Sequence, residues 1–240
     1  MAGLLAAIVA YLMGSFPSGV VVVRLARGFD IRQVGSRRSG TTNVLRAAGA
    51  VSAAIVFLLD VLKGAGVVWL GRWMMHSPWV AGRLLWTGRP AVWPLPDTAA
   101  VLLGIELACG LAAIVGHNWP IYIRFRGGRG VATTMGTLIA LAPFVALGCF
   151  VVAAAVIVLS RFVSLGSVTG AGLVPVGLLL QMLFGSLPFL TFLYGLLVAG
   201  AIVFQHRDNI ARLHAGTERR LGERADLPRD RGGGGSPQSR

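Results

Sequence analysis

Six apolar stretches, at about residues 3–23, 51–71, 98–115, 131–159, 164–184 and 187–205, decide most of what this chain can fold into. A helix needs roughly 20 apolar residues to cross about 30 Å of hydrocarbon, and each stretch reaches or approaches that length. A bilayer offers the backbone no hydrogen-bonding solvent, so such segments must be helices that pair their own amides. Only 13% of the residues are charged, against about 25% in a soluble domain. The 33 glycines and 11 prolines are also tolerated better in membrane helices than in soluble ones. The expected fold is an all-α polytopic membrane protein.

The fourth stretch sets the topology. As one helix, 131–159 would be about 43 Å long, too long for one straight crossing, and Pro143 divides it. Taken as one span, it puts the tail arginines opposite those of the first loop. Taken as two, it puts Arg24, Arg27, Arg32, Arg37, Arg38 and Arg46 on the same face as Arg124, Arg126, Arg129, Arg161 and the tail. Cytoplasmic loops carry the excess of arginine and lysine, which selects the second arrangement. It has seven transmembrane helices, with the N-terminus outside, the C-terminus cytoplasmic and one short half-spanning helix after the glycine loop. The loop 72–97, with only Arg72, Arg83 and Arg89, falls on the other face.

Residues 1–223 read as one membrane domain and 224–240 as a disordered basic tail. The first stretch lacks a basic leader and runs on into the later pattern, so it reads as a span and not a cleaved signal. The net charge of +13 reports orientation and anionic partners, lipid headgroups or phosphorylated substrates, and not nucleic acid. Cys109 and Cys149 lie inside apolar stretches and read as small core residues.

This topology gathers four polar stretches on one face. The first, GSRRSGTTNVLR, runs from Gly35 to Arg46. Its glycines let amides approach an oxyanion, Ser36, Ser39, Thr41, Thr42 and Asn43 offer hydrogen bonds, and its arginines suit phosphate. A solvated positive loop would have the same composition. In the second, GGRG (Gly127–Gly130) directly precedes an apolar helix, so amides and helix N-terminus form an anion nest with Arg129 as counter-ion. The G-x-x-x-x-G-K-S/T pattern of a Walker loop is missing. His117, just upstream, reads as a satisfied interfacial histidine.

The third stretch, SRFVSLGS, places Ser164 and Ser167 on one helix side, although small residues there also serve helix packing. In the fourth, HRDNIARLHAGTER, a helix would align His206, Asn209, Ile210 and Leu213. A basic amphipathic helix on anionic lipid is the other reading.

Charges inside the membrane are expensive and tend to be paired or functional. Asp60 and Lys63, spaced i, i+3, read as a structural pair near a helix end, whereas Glu106 has no evident partner in the sequence. No histidine is followed five residues on by aspartate, which excludes the dyad of soluble-domain glycerolipid acyltransferases. No metal-ligand cluster is present, so neither metal nor cofactor is expected.

In order and spacing, five segments resemble the bacterial acyl-phosphate:glycerol-3-phosphate acyltransferases, the PlsY family. They are GSFPSGVVVVRLARGFDIRQVGSRRSGTTNVLR, LDVLKG, GHNWPIYIRFRGGRGVAT, RFVSLGS and HRDNIARLHAGTE, and they cover about residues 11–223. The resemblance implies a seven-helix enzyme of the bacterial cytoplasmic membrane with its active site facing the cytoplasm. It would move a fatty acyl group from acyl phosphate to the sn-1 hydroxyl of glycerol 3-phosphate. The product would be lysophosphatidic acid, the first committed intermediate of phospholipid synthesis. It implies catalytic roles for Ser36, Arg46, Arg129, His206 and Asn209. Substrate binding would fall to Gly40, Thr42, Asn43, Gly127, Gly128, Gly130, Ser164 and Ser167. A monomer functionally coupled to the enzyme that makes acyl phosphate is expected.

The residues agree with that chemistry. Both substrates carry phosphate, which accounts for several cationic stretches on one face. One is soluble and the other has a long chain, so the reacting carbonyl belongs at the interface with its tail between helices. The rival reading, a transporter for a phosphorylated solute, calls for basic entry sites at both faces. The chain departs from the family pattern twice. Where the family reads Gly-Ser-Gly-Asn-x-Gly-Ala-Thr-Asn, Arg37 and Arg38 replace Gly-Asn and Thr41 replaces Ala. Arg129 stands where lysine is usual, which keeps the charge and changes its geometry.

Overall fold

The computed structural model describes residues 2–76, 98–185 and 187–225. Among these, every regular element is helical. The elements are α1 (Ala2–Gly14), α2 (Ser18–Arg27), α3 (Thr41–Ala48), α4 (Ala50–His76), α5 (Thr98–Asn118), α6 (Val131–Leu141), α7 (Pro143–Ser160), α8 (Val163–Leu183), α9 (Phe189–Gln205) and α10 (Arg207–His214). Single 3-10 turns cover Ile31–Gln33 and Ile121–Ile123.

Among the described residues, five segments are long and apolar enough to cross a bilayer: Gly3–Arg27, Ala50–Met74, Ala99–Ile123, Pro143–Ser160 and Val163–Leu183. A sixth comes from α9 together with α10, bent 59° from it. The outward faces of these helices carry largely exposed Leu4, Phe144, Leu159 and Phe184. Such surface is costly in water and at home against lipid chains. The chain is a multi-pass membrane protein.

The fourth apolar stretch divides where Pro143 predicts. α6 has 11 residues, about 16 Å, half the hydrocarbon thickness. Ala142 leaves helical geometry and Pro143 opens α7, the position where its missing N–H is no loss. α6 packs on α4 at backbone distance: a Cβ on Gly64 would overlap the Thr133 carbonyl, and one on Gly136 the Val61 carbonyl. The central core lies among α5 to α9, around Leu138, Val145, Val174, Leu178, Tyr194 and Val198. The Tyr194 hydroxyl is paired within it, Oη donating to Thr137 Oγ1 at 2.6 Å.

Two charges are placed differently from the sequence reading. α4 continues to His76, so Arg72 sits on the helix and not in a polar loop. There it grips Glu106 of α5 with two hydrogen bonds of 2.8 and 2.7 Å. The planar guanidinium matches the carboxylate, which gives Glu106 the partner that the sequence did not reveal. Arg83, Arg89 and most of the expected disordered tail lie outside the described residues.

Candidate active site

The first loop is folded around Asn43. Its amide donates to the carbonyls of Ile31, Val34 and Arg38 at 3.2, 3.1 and 2.9 Å, and its Oδ1 accepts the Ser36 amide at 3.0 Å. Asn43 borders the cavity described below, but its hydrogen-bonding capacity goes to the loop. Asn43 thereby positions the loop that carries Ser36 and Arg38. Arg32 fixes the loop from outside, holding Asp30 at 2.7 Å and reaching the Ile123 carbonyl at 3.0 Å.

Within this loop Arg37 adopts φ +57°, a left-handed conformation in which the family pattern has glycine. A side chain there costs ~1–2 kcal/mol, and glycine's extra freedom in the unfolded chain costs ~0.5–1 kcal/mol. The strain outweighs the entropy. Arg37→Gly is expected to stabilise the protein by up to ~1 kcal/mol, read as a raised Tm in detergent, with turnover unchanged because Arg37 is exposed.

The glycine loop packs against the end of α5. The Gly128 amide donates to the His117 carbonyl at 3.1 Å, and a Cβ on Gly128 would overlap the His117 ring. Gly127 is equally close to the His117 carbonyl, and its own carbonyl accepts the Ser39 amide at 3.4 Å. Gly127 and Gly128 thus serve close packing behind the cavity, and the Gly128 amide is not free for an anion as the nest reading required. Gly130 does face the cavity. Its φ of +84° starts α6. Gly128→Ala is expected to displace Arg129 and raise KM about tenfold or more while the helices stay folded, checked by steady-state kinetics beside circular dichroism.

His117 itself is held by a buried charged cluster. Its Nδ1 lies 2.9 Å from Lys63 Nζ and 3.5 Å from Asp60 Oδ1. Lys63 pairs with Asp60 at 2.8 Å and donates to the Phe16 carbonyl at 3.1 Å, while Ser18 Oγ donates to Asp60. The expected Asp60–Lys63 pair is present, and it ties the α1–α2 turn, α4 and the glycine loop together. The sequence did not foresee that Asp60 and His117 border the cavity.

All four polar stretches converge on one cavity of about 260 Å³. Its polar end carries Ser36, Arg38, Gly40, Thr41, Thr42, Arg46, Arg129, Gly130 and His206; Ser167 lies in the wall. Its apolar arm runs between α4, α6, α7 and α8 along Phe57, Leu138, Ala146, Phe150, Ile157 and Val174, with Cys149 in the wall. A polar niche of about 20 Å³ adjoins it, where Thr42, Arg46, Arg129, Ser164, Ser167, His206 and Asn209 meet Glu218.

Glu218 is the residue that sequence reasoning missed. Buried, it accepts Ser164 Oγ at 2.8 Å, Asn209 Nδ2 at 2.6 Å and Arg212 Nε at 2.8 Å. Burial pushes its carboxyl up, but the bonds from Asn209, Ser164 and Arg212 outweigh that and hold it below the usual glutamate range. It joins α8 to α10 and draws the segment after α10 over the site. There Arg46 donates to the Arg219 carbonyl at 3.1 Å, and the Leu221 amide donates to the Arg161 carbonyl. An acid set among the arginines of a basic tail, GTER, was the available signal.

The cations at the polar end are poorly solvated. Burial and then neighbouring Arg38 push the Arg129 guanidinium down to about 10, and its Nε has no acceptor among the described residues. Burial, then Arg219, likewise lowers Arg46. Desolvated guanidiniums with free N–H groups are prepared to take an anion. His206 Nδ1 lies 2.8 Å from the Ile202 carbonyl, which fixes Nδ1–H as donor and leaves Nε2 as acceptor.

The cavity is cationic at one end and apolar along the other, and it lies within a multi-pass membrane protein. The family model for glycerol-3-phosphate acyltransferase matches residues 4–216. A protein called glycerol-3-phosphate acyltransferase from Thermoanaerobacter sp. (strain X514) is 38% identical over 227 residues, 95% of this chain and 100% of that one. One of the same name from Rubrobacter xylanophilus is 40% identical over 235 residues, 98% of this chain and 100% of its own length. Two crystal structures of PlsY, an integral membrane glycerol 3-phosphate acyltransferase, superpose on the fold. Its glycerol 3-phosphate form gives a TM-score of 0.74 at 32% identity, covering 92% of this chain and 96% of that one. Its lysophosphatidic acid form gives 0.72 at 30%, covering 93% and 97%. The chain belongs to the glycerol-3-phosphate acyltransferase family.

Proposed function

We propose that this acyltransferase takes its acyl group from acyl phosphate and delivers it to the sn-1 hydroxyl of glycerol 3-phosphate, releasing lysophosphatidic acid for phospholipid synthesis. The observation that carries the reading is the single cavity with desolvated arginines at one end and an apolar arm between helices at the other. Two phosphates need the cations, and one acyl chain needs the arm. The seven-segment topology, with α6 as the half-span, the N-terminus outside and the site facing the cytoplasm, accompanies this reading. Residues 1–223 form the catalytic domain of a monomer in the bacterial inner membrane, coupled to the enzyme that makes acyl phosphate. Among the described residues the cavity's cations gather with the glycine loop at one end, which favours this reading over a transporter.

In the reaction, the sn-1 oxygen attacks the acyl carbonyl carbon, the bond from that carbon to the phosphate oxygen breaks, and inorganic phosphate leaves with the electron pair. Arg129 and Arg46 stabilise the developing oxyanion and the departing phosphate, and a water-poor site strengthens that effect. The hydroxyl proton passes to the departing phosphate or to His206 Nε2. With Nδ1 turned to the Ile202 carbonyl, Nε2 is the ring nitrogen left to accept it. Ser36, Ser167, Thr42 and Gly40 surround the phosphates, with Gly130 at the start of α6. Asn209 and Ser164 complete the polar wall through Glu218.

Replacing His206 with alanine is expected to lower turnover and alter its pH profile; full turnover with an unchanged profile would remove it as base. The reading itself is tested by supplying purified protein with labelled glycerol 3-phosphate and acyl phosphate, acyl-CoA or acyl carrier protein. Product from acyl phosphate alone is expected. Product from another donor, or none from any, contradicts it.

A further inference from the structure

The two adjacent arginines of the first loop go different ways. Arg37 is exposed, whereas Arg38 is partly buried and borders the cavity beside Arg46, Arg129 and His206. Its root is fixed on both sides. The Arg38 carbonyl accepts Asn43 Nδ2 at 2.9 Å, and the next amide, of Ser39, donates to Gly127 at 3.4 Å. Arg38 therefore sits where the first loop meets the glycine loop, on backbone that does not swing free.

No carboxylate neutralises it among the described residues. Asp30 is held by Arg32, Asp60 by Lys63 and Glu218 by Arg212. Arg129 has no ion pair with a carboxylate among the described residues either; Arg38 is the leading like-charged neighbour acting on it, opposed by Glu218. Two guanidiniums brought together in a partly desolvated cavity repel each other unless an anion lies between them. An anion between them relieves that repulsion, and a doubly charged one does so most fully.

We propose that Arg38 is a further phosphate ligand of this enzyme, gripping a substrate phosphate together with Arg129 where the family pattern places only a neutral amide. The proposal rests on the acyltransferase reading above. A guanidinium gives a bidentate, charge-assisted contact, roughly twice as strong as the neutral hydrogen bond of an amide. The ligand chemistry is a phosphate dianion, presented by the acyl donor, by glycerol 3-phosphate and by the inorganic phosphate released.

The test compares purified full-length wild type with Arg38→Asn and Arg38→Lys at constant ionic strength. Each substrate is varied in turn, and inorganic phosphate is added both as inhibitor and as a stabiliser of Tm. Arg38→Asn is expected to raise one KM about tenfold, from loss of a charge-assisted contact, and to diminish the Tm gain from inorganic phosphate. Arg38→Lys is expected to lie between. A rise in the acyl phosphate KM with weaker phosphate inhibition assigns the donor's phosphate; a rise in the glycerol 3-phosphate KM alone assigns the acceptor's.

Unchanged KM values and an unchanged phosphate effect on Tm overturn the proposal, as does a fall in kcat alone. The Tm arm needs no turnover, so a wild type inactive with acyl phosphate would refute the donor assignment and leave the Arg38 result readable. The contact that Arg38 gives the loop is a backbone carbonyl, and both variants keep it; a variant that nonetheless unfolds would show that the side chain serves the loop and not phosphate.

Discussion

Replacing Arg129 with alanine is expected to reduce kcat/KM by roughly 10²–10³, the usual loss when one preorganised charge-stabilising donor is removed from an acyl-transfer site. Both KM and kcat should move, because on the proposed reading Arg129 faces the phosphates in the ground state and the developing charge in the transition state. Its position leaves little that could replace it. It follows Gly127 and Gly128, which are wedged against His117, and precedes Gly130, which opens α6. Its Nε has no protein acceptor among the described residues, so the alanine variant should fold. Arg129→Lys should recover part of the activity, since it restores the charge and not the planar fork. Wild-type kinetics in the alanine variant, with the same Tm, would remove Arg129 from the site.

Replacing Glu218 with alanine should act on folding and activity together. The carboxylate binds Ser164, Asn209 and Arg212 at once. Its loss leaves buried polar groups without their acceptor, at a cost of ~2–4 kcal/mol. A falling Tm and near-complete loss of turnover are expected, with Glu218→Gln intermediate because an amide oxygen still accepts. The pH dependence has a definite sign. The folded-state pKa of Glu218 lies below its unfolded value, so the stabilisation is present above the unfolded value and disappears as pH falls through the folded one. Thermal unfolding followed from neutral pH downward should show that acid loss in wild type and less of it in Glu218→Gln. An equal acid loss in both would place its origin elsewhere.

The sequence disclosed features that repeat or have a local cause. Apolar length located the spans, and Pro143 located the break between α6 and α7, because a proline starts a helix more readily than it continues one. Charge asymmetry grouped the four polar stretches that share one cavity. What stayed hidden depended on contacts between residues far apart in the chain. Arg72 and Glu106 are separated by 34 positions, and Ser164 and Glu218 by 54; neither pairing leaves a local pattern. Asn43 looked like a substrate ligand because an amide in a glycine-rich loop suits either role. Only the paths of the Ile31, Val34 and Arg38 carbonyls show that it folds the loop. Gly127 and Gly128 were ambiguous in the same manner: glycine permits close approach, and here what approaches is His117.

On the proposed reading, phosphate binding and acyl transfer share one place, the polar end of the cavity where Arg46, Arg129 and His206 meet. A crystal structure of this protein with glycerol 3-phosphate bound tests that most directly. The predicted result is a phosphate within about 3 Å of the Arg129 guanidinium, with the sn-1 hydroxyl turned toward His206 and the mouth of the apolar arm. A phosphate bound at another surface, with Arg129 untouched, would contradict it.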